Sequence, residues 1–445
     1  MTKYYKSLFV AAVGALALST GAVAQSSGAT AVEANAFPNF AEESAGEDFD
    51  PAKIEALEAR MAQFVADGDT KGIATLLVKD GKVISQMKAG IRRLSDNAPI
   101  TEDTIYRIYS MTKPVTGVAL MALYEEGKFS LDDPVSKYIP EFENLKVVKS
   151  FDENGSNVVL EPLEAQPTMR QLMSHTAGFA YGLVGDDPAN KAFRDQNILA
   201  SPDMQSFIDG VAKIPLMHQP GKSWFYSASV DVQGAIVERL SGMKFGAFLK
   251  TRIFDPLGMD DTGFAVPADD YDRFSDVFGY HPVTKDFIRV PFPRVAFKPE
   301  TIGMESGGGG LVSTMSDYAR FCQMLANGGE FRGARILKAE TVKLMRTNVL
   351  TGDQKVNIAG TLSEAVVKTL GFGLDFGIIR NDGVNGTVQG DGTYFWGGAA
   401  GTWFWIDPVH DLFFIGMIQR FGQNGPDTDF RGISRDLVYD ALKND

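Results

Sequence analysis

Strand-type segments stand at both ends of this chain and helix-type segments fill its middle. That placement limits the fold more than any other feature. Near the N-terminal end, Ile73–Val78 and Val83–Lys88 flank Asp80-Gly81, a pair that accepts the positive φ angles of a two-residue hairpin turn. Toward the other end, Gly371–Ile379, Thr393–Trp396, Thr402–Asp407 and Leu412–Ile418 are aromatic and β-branched runs between Gly, Asp and Pro breaks. From Pro51 to Ala66 the apolar positions Ile54, Leu57, Met61, Phe64 and Val65 recur at helical spacing. Helical patterns also cover Ser110 to Gly127, Val230–Leu240, Phe245–Ile253, Asp317–Ala326 and Phe430–Leu442, with Gly127 as a C-cap. The expectation is one sheet built from both ends of the chain, with a helical region inserted in it. At 445 residues and 44% hydrophobic content, the chain can bury one large core or two coupled ones, because single cores stop growing near roughly 250–300 residues.

The first residues read as an export signal. Lys3 and Lys6 form a positive start, Leu8 to Leu18 an apolar run, and Ala22-Val23-Ala24 a small-x-small cleavage site, placing the cut before Gln25. The apolar run is shorter than the roughly 20 residues that a bilayer requires, and no cysteine stands at the cut to carry a lipid. The mature protein is thus expected in the periplasm or outside the cell. Residues 25–50, rich in Ala, Ser, Gly and Glu without a hydrophobic period, read as a disordered leader, and 51–445 as the folded region. Without Lys3 and Lys6, 41 basic residues face 56 acidic ones, a net charge of −15. That balance argues against nucleic acid and anionic membrane as partners. The single cysteine, Cys322, lies in a helical run and reads as a buried thiol. With four scattered histidines, zinc-ligand spacing is missing, so neither a metal nor another cofactor is expected.

The chemistry is concentrated at Ser110-Met111-Thr112-Lys113. Residues three apart share a helix face, so Lys113 can reach the Ser110 hydroxyl, a weak nucleophile until a base takes its proton. Two other Ser-x-x-Lys stretches compete. Ser85 and Lys88 fall in a predicted strand, where residues three apart point to opposite faces. Ser241 and Lys244 straddle a glycine at a helix end. Only Ser110 begins an amphipathic helix, where its own N–H is free for an oxyanion.

Several ordered segments carry a family resemblance. Ile105-Tyr106-Arg107-Ile108-Tyr109-Ser110-Met111-Thr112-Lys113 resembles the serine motif of the class C β-lactamase-related serine hydrolases. That family includes β-lactamases, DD-peptidases and the family VIII carboxylesterases. Leu172-Met173-Ser174-His175-Thr176-Ala177-Gly178-Phe179, Pro220-Gly221-Lys222-Ser223-Trp224-Phe225-Tyr226-Ser227, Ile253–Met259 and Gly309–Thr314 resemble further segments, in order. The resemblance spans about residues 52–443. It implies an α/β (α+β) fold of the β-lactamase/penicillin-binding-protein type. An antiparallel sheet flanked by helices is expected from about 51–109 and 300–445, with a helical part over about 110–299 and the site at their junction.

It also implies a Ser110–Lys113–Tyr226 arrangement. A free phenol titrates near 10, so Tyr226 needs help as a base, and a nearby Lys113 ammonium would favour the phenolate. The usual Lys-Thr-Gly strand is represented by Trp396-Gly397-Gly398, and the asparagine of the β-lactamase Tyr-x-Asn pattern by Ala228. Both departures, with Tyr226-Ser227-x-x-x-Asp231-Val232, resemble the family VIII esterases. The oxyanion donors would be the N–H groups of Ser110 and, by resemblance, Ala399, with Gly397 and Gly398 allowing close approach. Trp396 would wall the pocket, and Phe179 and Tyr181 would help line it for short acyl esters. The 183–215 segment would shape the entrance. Trp403 and Trp405 read as core, and His175 as structural.

The expected activity is hydrolysis of small carboxylic esters. The alternatives are a β-lactamase, DD-peptidase or acyltransferase of the same family, or a non-catalytic binding protein on its fold. A Ser-His-Asp α/β-hydrolase is disfavoured because no Gly-x-Ser-x-Gly elbow occurs. The oligomeric state is not legible.

Overall fold

The computed structural model describes residues 41–42, 47–152, 155–183, 185–290, 301–352, 354–356, 369–380, 388–422 and 425–443. Among the described residues eight strands form the main sheet: β1 (Ala41–Glu42), β2 (Gly72–Lys79), β3 (Lys82–Gly90), β4 (Leu370–Phe372), β5 (Gly377–Ile379), β6 (Tyr394–Gly397), β7 (Trp403–Asp407) and β8 (Leu412–Met417). Their order is β1-β3-β2-β8-β7-β6-β5-β4. Every pairing is antiparallel except β1 with β3. The two ends of the chain meet inside the sheet, where β8 pairs with β2 from Leu412↔Lys79 to Met417↔Ala74. The β2–β3 turn has φ of 49° at Asp80 and 73° at Gly81, the two positive values that such a turn requires.

Both faces of the sheet are covered, so its inner strands read as continuous apolar runs rather than alternating ones. On one face, Ile73 and Leu77 of β2, Trp403 and Trp405 of β7 and Phe414 of β8 pack with the first helix, α1 (Pro51–Ala66), and the last, here α5 (Phe430–Ala441). Leu57, Met61, Phe64 and Val438 supply the helical side of that layer. Their neighbours along the strands, Leu76, Phe404, Ile406, Phe413 and Ile415, point the other way into the larger core. That core holds α2 (Thr112–Glu125), α3 (Ser229–Ser241) and α4 (Met315–Ala326). The helical part also contains two small antiparallel pairs, Lys146–Ser150 with Val159–Pro162 and Phe278–Tyr280 with Phe287–Arg289. Sheet and helical part belong to one compact unit. Among the described residues no helix is long and apolar enough to cross a membrane.

Three expectations need correction. The expected amphipathic helix from Ser110 is a 3-10 turn, Tyr109–Met111, followed by α2, and α2 is buried on every side from Thr112 to Leu123. A helix without a polar face is an interior helix. Its end is as read: the N–H groups of Gly127 and Lys128 bond Tyr124 O and Leu123 O, with Gly127 at φ 70°, a Schellman closure. The single strand expected over Gly371–Ile379 is the β4–β5 hairpin. Its turn holds Asp375 at φ 63°, with a buried carboxyl that accepts the Gln233 amide at 2.9 Å. The leader assigned to 25–50 is too long. Ala41–Glu42 pairs with β3, Phe49 is fully buried and bridges to Leu442, and the Asp50 carboxylate caps α1 through the Ala52 N–H. One aromatic anchor without a period gave no pattern to detect. The signal segment 1–24 and the rest of 25–50 lie outside the described residues.

Candidate active site

The Ser110 turn is braced from two sides. Tyr106–Arg107 pairs with Val312–Ser313, and the Ile108 N–H donates to Leu311 O at 3.1 Å. Ile108 O in turn accepts the Met111 N–H at 3.0 Å. Between them Tyr109 is forced to φ 43°, a left-handed conformation that a bulky residue holds only under surrounding constraint. The Ser110 N–H precedes the first bonded amide of the turn, so it has no acceptor within the turn.

Three sequence-predicted residues converge here. The Tyr226 hydroxyl lies 2.6 Å from Ser110 Oγ, and Lys113 Nζ lies 3.3 Å from it. Lys113 is 1% exposed, and a buried amine needs partners. It donates to Gly308 O at 2.6 Å and to the Tyr181 hydroxyl at 3.1 Å, and it sits 4.5 Å from the Tyr226 ring centre. Tyr226 is seated by main-chain bonds on either side: the Phe225 N–H to His175 O and the Ala228 N–H to Ala180 O. Its ring packs among His175, Tyr181, Trp224 and Trp396, with centroids 5.1 to 6.3 Å away.

Gly398 explains the glycines of the Trp396-Gly397-Gly398 segment. A methyl group there would lie 2.5 Å from Ile108 O, so only glycine lets the end of β6 touch the Ser110 turn. The Gly398 N–H bonds Thr402 O at 2.7 Å and its carbonyl accepts the Gly401 N–H at 3.0 Å, which holds the corner carrying exposed Ala399. Over Gly397 lies the Arg431 guanidinium, which donates to Gly398 O and Thr402 O at 3.3 Å. Trp396 is buried against Tyr226 and Phe372.

Phe179 and Tyr181 do not line an apolar pocket. Phe179 is in the core against Phe142, and Tyr181 turns its hydroxyl to Lys113. Asn190, in the helix Pro188–Asp195 of the segment read as an entrance, fixes Tyr181 by accepting its N–H and that of Gly182. His175 is buried, and its Nδ1 accepts the Ser227 N–H at 3.2 Å. Burial, and the Lys113 charge after it, hold it well below the usual histidine range. It is a neutral structural ring.

Sequence reading did not find Gly308 or the role of Tyr181. The run Gly307–Gly310 was the available signal, because consecutive glycines mark close backbone approach. Here Thr116 Oγ1 donates to Gly307 O at 2.8 Å, and the Leu311 N–H donates to Thr112 Oγ1 at 3.1 Å, tying the run to α2. The competing serines are elsewhere: Ser85 Oγ bonds Glu58, Lys88 pairs with Glu102, and Ser241 ends α3. Among the described residues no cluster of three His, Cys, Asp or Glu side chains could hold a metal.

Comparison with known proteins bears on this geometry. The family model described as Beta-lactamase matches residues 57–435. The chain is 34% identical to "Uncharacterized protein MT1414" of Mycobacterium tuberculosis over 371 residues, covering 82% of this chain and 90% of that one. It is 30% identical to Esterase EstB of Burkholderia gladioli over 414 residues, covering 88% and 96%. The solved structure of EstCE1, described as a hydrolase with promiscuous acyltransferase activity, superposes with a TM-score of 0.69 at 24% identity, covering 88% and 98%.

Proposed function

Because the chain belongs to the β-lactamase family and is a serine hydrolase of that fold, we propose that it hydrolyses small carboxylic esters through an acyl-enzyme on Ser110. The observation that carries this reading is the contact of one hydroxyl with two candidate bases, at 2.6 Å and 3.3 Å.

Ser110 Oγ attacks the ester carbonyl as its proton passes to the Lys113–Tyr226 pair. The new Oγ–C bond makes a tetrahedral oxyanion, held by the N–H groups of Ser110 and Ala399. The C–O bond to the alcohol then breaks, and Tyr226 returns the proton to the leaving oxygen. Water, deprotonated by the same pair, attacks the acyl-Ser110 carbonyl and releases the acid and free Ser110. An oxyanion donor of this kind contributes about 10²–10³ in rate.

Esters are preferred over β-lactams on two features of this chain. Trp396 stands in place of the Lys-Thr-Gly lysine and Ala228 in place of the Tyr-x-Asn asparagine, which removes two polar groups from the site. The relation to Esterase EstB agrees with that preference. The test is hydrolysis of p-nitrophenyl butyrate and of a chromogenic cephalosporin by the mature enzyme. Ester cleavage far exceeding cephalosporin cleavage is expected. The reverse order would hand the reading to the β-lactamase alternative. Acyl transfer to an added alcohol is the second reading, since the acyl-enzyme accepts any hydroxyl that reaches it, and EstCE1 is described as having such an activity.

Export is part of the proposal and rests on Lys3, Lys6, the apolar run after them and Ala22-Val23-Ala24. N-terminal sequencing of the protein from its native cells should begin at Gln25. A retained Met1 on protein found in the cytoplasm would remove this element.

A further inference from the structure

We propose that Tyr181, backed by the carboxyl group of Asp231, is a positioning residue that sets the orientation and charge of the Lys113 amine at Ser110. The inference rests on the Ser110–Lys113–Tyr226 reading and extends it to two residues that reading leaves unused.

Lys113 Nζ faces three oxygens: Ser110 Oγ, Gly308 O and Tyr181 Oη, at 3.3, 2.6 and 3.1 Å. Only Ser110 reacts. The other two take N–H bonds and so fix the direction left for Ser110. Gly308 O is main chain and carries no adjustable charge. Tyr181 Oη, accepting from Lys113, must send its own proton elsewhere.

The Asp231 carboxyl is the charged neighbour of that hydroxyl. It is fully buried on α3. Its Oδ1 accepts the Ser306 hydroxyl at 2.5 Å and the Gly308 N–H at 3.0 Å. Its Oδ2 is buried with no hydrogen-bond partner. A methyl group at Gly308 would lie 2.5 Å from that Oδ2 and 2.6 Å from Tyr181 Oη. Both oxygens therefore stand over the same glycine, and only glycine leaves the space between them open. A buried carboxyl oxygen without a donor is costly, and the Tyr181 hydroxyl is the proton-bearing group that shares the space over Gly308 with it.

The departure at Ala228 agrees with this. Ala228 cannot offer Lys113 a polar side chain, and its N–H bonds Ala180 O at 3.1 Å, which places the next residue, Tyr181, beside it. The phenol is the side chain that supplies a polar contact to Lys113 from this side. The groups within electrostatic reach of Lys113 are the phenols of Tyr181 and Tyr226, the His175 ring, and the carboxyls of Asp231 and Asp375. Asp375 is bonded to Gln233, and its free Oδ2 lies beside Gly117, one turn further along α2. Of these two carboxyls, Asp231 is the one beside Tyr181.

The experiment measures kcat, KM and the pH profile of kcat/KM on p-nitrophenyl butyrate for wild type, Tyr181→Phe and Asp231→Asn, with melting temperatures. Labelling of Ser110 by a fluorophosphonate runs alongside. Tyr181→Phe should lower kcat about 10- to 100-fold with KM little changed. Asp231→Asn removes a negative charge facing the base, which favours the base's deprotonated form. The acid limb should therefore move to lower pH by roughly one unit or more. If Asp231→Asn does not fold, Tyr181→Phe should move the same limb in the same direction. A merely structural role would lower the melting temperature and leave the limb in place. That outcome overturns the proposal, as does a Tyr181→Phe enzyme with wild-type kcat. Wild type that neither cleaves ester nor is labelled at Ser110 ends the underlying reading and this proposal together. A working wild type with unmoved limbs in both variants ends this proposal alone.

Discussion

Ser110→Ala should lose p-nitrophenyl butyrate hydrolysis by roughly 10⁴-fold or more in kcat, the scale seen when a serine enzyme loses its nucleophile, while melting no lower than wild type. The first half follows from the site: the substitution leaves no oxygen to form the acyl-enzyme. The second half follows from the partners. Lys113 keeps Gly308 O and the Tyr181 hydroxyl, and the Tyr226 ring keeps its aromatic cage. Active sites often hold strain that weakens the fold, and Tyr109 at φ 43° is such a position. Kinetics on purified variant, with a thermal melt beside it, read both halves. A variant within a hundredfold of wild type would mean that Ser110 is not the nucleophile, whatever its neighbours.

Much of this architecture was legible because it is written locally. The two halves of the sheet each carry strand-length runs bounded by turn residues, and α1 declares itself by Ile54, Leu57, Met61 and Phe64, all buried in one layer. The Ser110–Lys113 pair sits within one helical turn, and Tyr226 lies in a segment recognisable by family resemblance. What the sequence hid is long-range. Tyr181 and Gly308 meet Lys113 across 68 and 195 positions, one through a hydroxyl that reads as a pocket aromatic, the other through a carbonyl that has no side chain to read. The interior setting of α2 is written in its composition: after Lys113 the run has no charged residue until Glu125, so it offers no face to water. The β4–β5 turn was masked by its own aromatics, since Phe372 and Phe376 flank the Gly373 and Asp375 that turn the chain.

Lys113→Met should couple a catalytic loss to a pH-dependent loss of stability, and the coupling is what identifies Lys113 as the charge of this site. The amine is the base or its electrostatic partner, so kcat should fall by about 10²–10⁴-fold. Methionine fills a similar volume, so the packing around α2 survives. The electrostatics do not. Asp231 and Asp375 are both buried, and burial pushes both carboxyls above the usual range, with Lys113 acting in the opposite direction on each. Without the cation those carboxyls rise further. The sign follows from proton uptake: well below the ordinary aspartate range, near pH 4, they are protonated in the folded and unfolded chains alike and contribute little. As pH rises the unfolded carboxyls ionise while the folded ones resist, so unfolding takes up the advantage. The deficit of Lys113→Met against wild type should therefore grow from pH 5 to pH 8, reaching about 3 kcal/mol, the scale for breaking a buried charge pair. Urea unfolding at the two pH values measures it. An equal deficit at both would show that Asp231 and Asp375 do not depend on Lys113 for their charge balance, and undiminished kcat would remove Lys113 from the catalytic pair.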